Sequence, residues 1–468
     1  MIDLGNFKLW LYETTSYSER TISNTVSRLK RADSILGWYE DKVYQFQLEQ
    51  EDGFKTLSPT VRSQIKKAVK LYFEYLEQSN IKKNSEEGNR LKALSLFANI
   101  GVAEAYLEEV GIDVVVANEL IERRATLYSK IYPKTQMVCG DITDDSIKKK
   151  IVGLCENEKI DIIMATPPCQ GMSTAGQQNS DDERNKLVCQ VVEMVKVLKP
   201  TYVFIENVPL FYSTEIEINK KQILIPDYIA NELGKDYEIR KYTIDTKNYS
   251  VPQTRERAII LMSRKKHKIW TLPEKDDRIV TMRDAIGHLP MLDPYVKDVS
   301  DERRREMFPH FEERKRAALA ISSWHNPPEH VERQVVAMQH TEPGQTAFDN
   351  PVYYPKKDDG EAVKGYHNTY KRQNWDTPAY TVTMDNRKIS SQNNVHPGRF
   401  EYVNAEGENI YSDARTLTLY ELMKIMSLPD NWPVPVNTSE AFLRRIIGEG
   451  IPPLFVRKVF EKLVEELQ

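Results

Sequence analysis

From Leu91 onward the chain alternates short apolar runs with stretches in which apolar residues recur every three or four positions. The runs KALSLF (92–97), DVVVA (113–117), TQMVC (135–139), DIIMA (161–165), YVFIE (202–206) and AIILM (258–262) read as strands. Runs this apolar suit strands buried on both faces. Helical stretches between several of them predict crossover connections, and so an α/β fold with a mostly parallel sheet and helices on both faces. The first 83 or so residues follow a different rhythm. Ser16 with Glu19 predicts a capping box, after which Ile22, Val26, Leu29 and Leu36 recur at helical spacing. Ser58-Pro59 opens a second predicted helix with Val61, Ile65, Val69, Tyr72 and Leu76 along one face. KKNSEEGNR (82–90) has no apolar residue and reads as a linker. From about 264 to 400 the strand–helix rhythm stops, and a predicted helical pair (416–426 and 453–467) closes the chain. The pattern divides the chain into residues 1–85, 90–264, 265–395 and 396–468.

Composition narrows the class. With 468 residues, 40% of them hydrophobic and 29% charged, the chain suits a soluble globular protein of more than one domain. No apolar run approaches the roughly 18 residues of a membrane span. MIDLGNFKLW lacks the basic and apolar regions of a signal peptide, so a cytoplasmic location is expected. The four cysteines show no CxxC pairing and the eight histidines no ligand spacing, so no metal is expected. Cys139, Cys155 and Cys189 read as packing residues, and His325, His330 and His396 as surface or structural ones. At a net charge of −4, any contact with nucleic acid must come from local basic patches.

The chemistry gathers at strand ends, where open parallel sheets bind their ligands. The first strand is followed by FANIG (Phe97, Ala98, Asn99, Ile100, Gly101), whose small residues allow close backbone approach to a ligand. Glu119 follows the second strand, 18 positions past Gly101, a spacing that suits a carboxylate accepting ribose hydroxyls. Asp141 follows the third and could accept from an adenine amino group. The fourth strand ends in Pro167-Pro168-Cys169-Gln170, two prolines stiffening the corner that aims a thiol. The fifth ends in Glu206-Asn207, and VPQTRER (251–257) adds Arg255 and Arg257. These groups can converge on one crevice, where arginine charge would lower the thiol pKa and Glu206 could hold or donate a proton to a heterocycle.

In order and content, FANIG, Glu119, Asp141, PPCQG, ENV, QTRER, RTLTLYELMKIMSLPDNW (415–432) and GEGIPP (448–453) resemble the DNA (cytosine-5) methyltransferases. The resemblance covers about residues 91–264 and 375–468. It implies a Rossmann-like catalytic domain using S-adenosyl-L-methionine, a target-recognition domain over 265–395, and a C-terminal segment that returns to the catalytic domain. It also implies that Cys169 attacks C6 of a flipped-out cytosine, Glu206 binds the ring N3 and amino edge, Arg257 holds O2, and Arg255 lies beside the thiol. Phe97, Asn99, Ile100, Gly101, Glu119, Leu120, Asp141, Ile142 and Pro167 would bind the cofactor, and Pro168, Gln170 and Asn207 the substrate. Such a thiol adduct makes C5 nucleophilic, and a rigid strand-end corner suits that geometry.

The chain departs from the family pattern in four places. Asn99 stands for a glycine, Val102 for a small residue, Ala165-Thr166 for Gly-Gly, and Glu449 for the asparagine of a Gly-Asn pair. Asparagine tolerates left-handed backbone, so the turn at 99 can form. The implied partners are double-stranded DNA and a cognate restriction endonuclease, in a bacterial, nucleoid-associated setting. The clusters RKKHK (264–268), RRR (303–305) and RKR (314–316) could meet phosphates, and the last two read equally as salt-bridged helices. Arg62, Lys66 and Lys70 form a cationic stripe in the first block. Residues 17–31 resemble the core-binding domain of tyrosine recombinases, but no catalytic Arg/His/Tyr set accompanies them. A tRNA cytosine-5 methyltransferase and an inactive DNA-binding regulator remain as alternatives.

Overall fold

The computed structural model describes residues 2–15, 17–39, 43–84, 90–168, 183–357 and 359–467, without the side chains of residues 13 and 77–84. Cys169, Gln170 and the polar stretch after them therefore lie outside the described residues, as does Ser16. Two units emerge, Met1–Asn89 and Arg90–Gln468.

The first unit is helical throughout, with α1 (Leu4–Thr14), α2 (Glu19–Ile35), α3 (Tyr44–Gln50), α4 (Asp52–Lys55) and α5 (Pro59–Asn84). Ser18 caps α2, its hydroxyl accepting from Thr21 N, a bond worth about 1 kcal/mol. Leu36 falls just past the helix as its C-cap. Pro59 starts α5 as expected, but the helix runs to Asn84 and takes in the first residues of the expected linker. Phe7, Ile22, Leu29, Leu48, Ile65, Val69 and Tyr72 form the core. Its aromatic centre includes a T-shaped pair, Phe7 and Tyr72, with centroids 5.0 Å apart.

The second unit is built on seven strands: β1 (Leu91–Leu96), β2 (Ile112–Glu119), β3 (Gln136–Cys139), β4 (Ile162–Ala165), β5 (Tyr202–Asn207), β6 (Tyr237–Asp245) and β7 (Glu256–Arg264). Their order is β3-β2-β1-β4-β5-β7-β6, with β1 to β5 parallel and β7 antiparallel to both its neighbours. All six expected strands form. The seventh, β6, was not expected, because YEIRKYTID alternates apolar with charged residues instead of running apolar. An edge strand need bury only one face, so it carries that weaker signal.

Side-chain alternation assigns the two faces. Leu94, Leu96, Ile163, Val203, Ile205, Ile260 and Met262 pack on α7 (Asp145–Glu158), α8 (Leu187–Leu198) and α9 (Ile225–Leu233). Ala93, Ile162, Met164, Phe204, Ile259 and Leu261 face the other way, toward Trp270 and Phe455, Val456 and Phe460 of the final helix. That helix, Pro453–Leu467, thus closes the second face of a sheet begun more than 300 residues earlier. Each such buried side chain contributes about 1.5–3 kcal/mol. Helix α6 (Glu122–Ile131) joins β2 to β3.

Between β7 and the final helices lie a short helix, 282–286, and three more (301–307, 311–321 and 332–339) gathered around Val296, Phe308, Val335, Met338, Tyr370 and Val395. Two buried arginines knit this region together. Arg372 donates to the carbonyls of Met338, His396, Ser412 and Asp413. Arg415 pairs with Asp413 and Glu421, each at 2.8 Å, and all three are fully buried. Arg415 and its neighbours hold both carboxyls well below the usual range. The last two basic clusters contribute ion pairs to this region. Arg303 pairs with Glu306 and Glu332, Arg304 with Asp301, and Arg314 with Asp293 and Glu401. His325, His330 and His396 are all buried, with roles such as His330 Nε2 accepting from Thr416 N.

Candidate active site

Every expected site residue that is described lies at or just beyond the carboxyl edge of the sheet, around the switch point where β1 and β4 are neighbours. Phe97, Asn99 and Gly101 all have positive φ (59°, 53° and 82°), so the loop after β1 turns tightly three times. Asn99 thus takes the left-handed turn expected of it. A side chain on Gly101 would come within 2.1 Å of the Tyr132 ring, whose hydroxyl donates to the Gly101 carbonyl. Trp432 Nε1 donates to that hydroxyl at 3.1 Å, so a residue from the end of the chain fixes the loop. The side chains of Ile100 and Ile142 are buried.

Glu119 is 6% exposed, and its two oxygens accept from Asn99 N (2.9 Å) and Ile121 N (2.8 Å). Each oxygen keeps a second lone pair for a hydroxyl donor. Leu120 and Ile121 are 62% and 44% exposed at the end of β2, an apolar platform beside that carboxylate. Asp141 is exposed, and its Oδ1 accepts from the backbone and hydroxyl of Thr143. Asn118, buried and unassigned from sequence, ties β2 to β3 by donating to the carbonyls of Val138 and Gly140. Cys139 is exposed, not packed, while Cys155 is buried with its thiol pushed up to about 12.

The other half of the edge begins at β4. Pro167 is buried and Pro168 half-buried. Thr166 Oγ1 donates to Phe97 O at 3.2 Å, and Asn207 Nδ2 to Pro167 O at 3.1 Å, so the proline corner is bonded to strand ends on both sides. Glu206 is 9% exposed and pairs with Arg257, Nε to Oε1 at 2.7 Å. Burial pushes its carboxyl up, and the charges of Arg257 and Arg255 oppose that shift.

Arg255 plays a bracing part that the sequence did not indicate. Its guanidinium donates to Val382 O and Gly448 O (both 2.9 Å) and to Glu449 O (3.4 Å). Gln253 assists: its Oε1 accepts from Val382 N, and its Nε2 contacts the Met426 sulfur. The Gln253–Arg255 segment is thereby stitched to residues 379–382 and to the end of the helix Glu440–Glu449. Gly448 is required there, since a Cβ would lie 2.4 Å from Thr383 O. Glu104, also missed, lies buried beneath the loop, accepting from Ser95 Oγ at 2.6 Å, and burial pushes its carboxyl up to about 7.

No group of three or more His, Cys, Asp or Glu side chains among the described residues could hold a metal ion. No described helix is long and apolar enough to cross a membrane.

The model of the family described as C-5 cytosine-specific DNA methylase matches residues 91–465. The Type II methyltransferase M1.HgaI of Avibacterium volantium is 43% identical over 381 residues, covering 80% of this chain and 99% of its own. The Type II methyltransferase M1.HphI of Haemophilus parahaemolyticus is 24% identical over 387 residues, covering 80% and 87%. A solved DNA modification methyltransferase encoded within an Escherichia coli prophage shares the fold, with a TM-score of 0.53 at 19% identity over 81% of this chain and 99% of that one. The family pattern spans the sheet-bearing unit and a relative matches along nearly its whole length, so the chain belongs to the C-5 cytosine-specific DNA methylases.

Proposed function

We propose that this protein methylates C5 of a flipped-out cytosine within a specific duplex DNA sequence, through a covalent adduct between Cys169 and C6. The observation that carries this reading is the Glu206–Arg257 pair, bonded through Asn207 to the proline corner that immediately precedes Cys169. S-adenosylmethionine, when bound, supplies a methyl group made electrophilic by its sulfonium.

The residues beyond β1, β2 and β3 fit that cofactor. Glu119 offers acceptors to ribose hydroxyls, Leu120 and Ile121 an apolar face to adenine, and Asp141 an acceptor to its amino group. The buried Oδ1 of Asn99 has no hydrogen-bond partner among the described residues and offers a further acceptor.

The Cys169 thiolate forms a bond to C6, and the ring electrons move toward N3, where Glu206 stabilises the addition by protonation or hydrogen bonding. Arg257 orients Glu206 and presents its remaining donors to the carbonyl edge of the base. Once C5 carries the methyl group, a solvent base takes the C5 proton, the C5–C6 double bond re-forms, the S–C6 bond breaks to free the thiolate, and the proton held at N3 is released. Pro167 and Pro168 restrict the backbone that aims the thiol. The Type II names of the relatives support a role beside a restriction endonuclease that recognises the same sequence.

Bisulfite sequencing of host DNA after expression of the wild type and Cys169→Ala tests the reading. Protected cytosines in one sequence context, absent from the variant, are expected. Protection by neither protein would sink the proposal and leave an RNA substrate or an inactive DNA-binding regulator.

A further inference from the structure

Two of the departures from the family pattern, Asn99 and Glu449, touch each other. Asn99 Nδ2 lies 3.3 Å from Glu449 Oε2, across 350 residues of chain. Arg124, two residues into α6, completes the cluster, its Nη2 lying 2.9 Å from Glu449 Oε2 and 3.1 Å from Oε1. Arg445 Nε adds positive charge 3.7 Å from Oε1. Both Arg124 and Glu449 side chains are less than one-fifth exposed, so the pair is shielded from water.

The chemistry of this cluster fixes the orientation of the Asn99 amide. Burial pushes the Glu449 carboxyl up, but Arg124 and Arg445 oppose that shift, and with Arg124 donating to both oxygens the carboxyl acts as an acceptor toward Asn99, so the NH2 of Asn99 faces it. Its Oδ1 must then face the opposite way, and that oxygen is buried with no partner among the described residues. The backbone of Asn99 is fixed as well, its N–H donating to Glu119. A buried amide oxygen held rigidly and lacking a donor demands one. It sits on the loop whose Asn99 N–H bonds Glu119, the carboxylate proposed above for the ribose hydroxyls; S-adenosylmethionine carries two kinds of donor that could meet it, its ribose hydroxyls and its α-ammonium.

We infer that Asn99 and Glu449 are one compensated change: Glu449, held by Arg124, orients the Asn99 amide so that Oδ1 accepts a hydrogen bond from a donor on S-adenosylmethionine. Asn99 is then a cofactor-binding residue, and Glu449 and Arg124 are positioning residues. Because Arg255 donates to the carbonyls of Gly448 and Glu449, the same helix end joins the cofactor loop to the brace beside Glu206. This inference rests on the cofactor assignment proposed above.

The test is calorimetric binding of S-adenosylhomocysteine to full-length wild type, Asn99→Gly, Glu449→Ala and the double variant. Glycine tolerates the φ of 53° at position 99, so Asn99→Gly removes the amide without straining the turn. Each single variant is expected to bind about 10-fold more weakly, as suits one buried hydrogen bond. The double variant is expected to lose no more than Asn99→Gly alone, since the two act as a unit. In steady state the loss should fall on KM for S-adenosylmethionine.

Losses that multiply to about 100-fold in the double variant would overturn the coupling. So would wild-type affinity in Glu449→Ala, or a fall in kcat with KM unmoved, the mark of merely misfolded protein. Competition with 5′-methylthioadenosine, which lacks the amino-acid moiety, identifies the donor. If that ligand also weakens, Oδ1 meets the ribose; if only the homocysteine ligand does, it meets the ammonium. A wild type that binds neither ligand would refute the cofactor assignment itself, an outcome distinct from failure of the coupling.

Discussion

Replacing Glu104 with glutamine should stabilise the protein at alkaline pH and leave it unchanged in acid. Glu104 is 4% exposed, and its carboxyl, ordinarily near 4.5, is pushed up to about 7 chiefly by burial. The hydrogen bond with Ser95 opposes that rise but does not cancel it. Below pH 4.5 the group is protonated in both the folded and unfolded chain, so it contributes no difference. As pH rises from 4.5 to 7, the unfolded chain releases the proton while the folded chain retains it. Stability is therefore lost across that window, and above pH 7 the loss is complete. The gap between 4.5 and about 7 corresponds to about 3 kcal/mol. Glutamine keeps an acceptor for Ser95 and never ionises. Urea unfolding of wild type and Glu104→Gln should give coincident curves at pH 4, and the variant should be about 3 kcal/mol more stable at pH 8. A difference of the same size at both pH values would refute the reasoning, because burial of the ionised form would then not be the cause.

Three further outcomes follow from the geometry. Gly101→Ala places a Cβ against the Tyr132 ring at a φ of 82°; it should cost about 1–3 kcal/mol and weaken S-adenosylhomocysteine binding in a titration. Arg415→Met leaves buried Glu421 without its arginine partner and Asp413 with only Arg399, at 3.4 Å, and should cost about 3–5 kcal/mol, read as a fall in Tm. Glu206→Gln preserves the side-chain shape but cannot hold the proton; single-turnover methylation should fall by about 10²–10⁴, while S-adenosylhomocysteine binding stays near wild type.

What could be read in advance depended on how far apart the cooperating residues lie. The strands β1, β2, β4, β5 and β7 announce themselves because a strand buried in the middle of the sheet must be apolar along most of its length, as IIMA and YVFIE are. The carboxylates and the thiol corner follow from them, because the carboxyl ends of parallel strands share one edge. The edge strand β6 escaped notice because one solvated face dilutes its pattern. The helix Glu440–Glu449 escaped too, although its apolar residues are regularly spaced, because it follows a Pro-rich turn. The N-cap shift from Ser16 to Ser18 is a local choice between two serines that composition cannot make.

The sequence by itself determined the class of fold, the order of the chemistry along it and the residue types that perform it, since these depend on local periodicity and on motifs a few residues long. Only the tertiary structure decided which of those residues are partners. That Arg257 pairs with Glu206 while Arg255 braces carbonyls at Val382 and Gly448 depends on contacts between distant segments. So do the fixing of Gly101 by Tyr132 and Trp432 and the meeting of Asn99 with Glu449 and Arg124. A hydrogen bond or buried ion pair acts over about 3 Å and is blind to sequence separation. Such pairings exist only once the apolar strands have collapsed and the last helix has closed over the sheet.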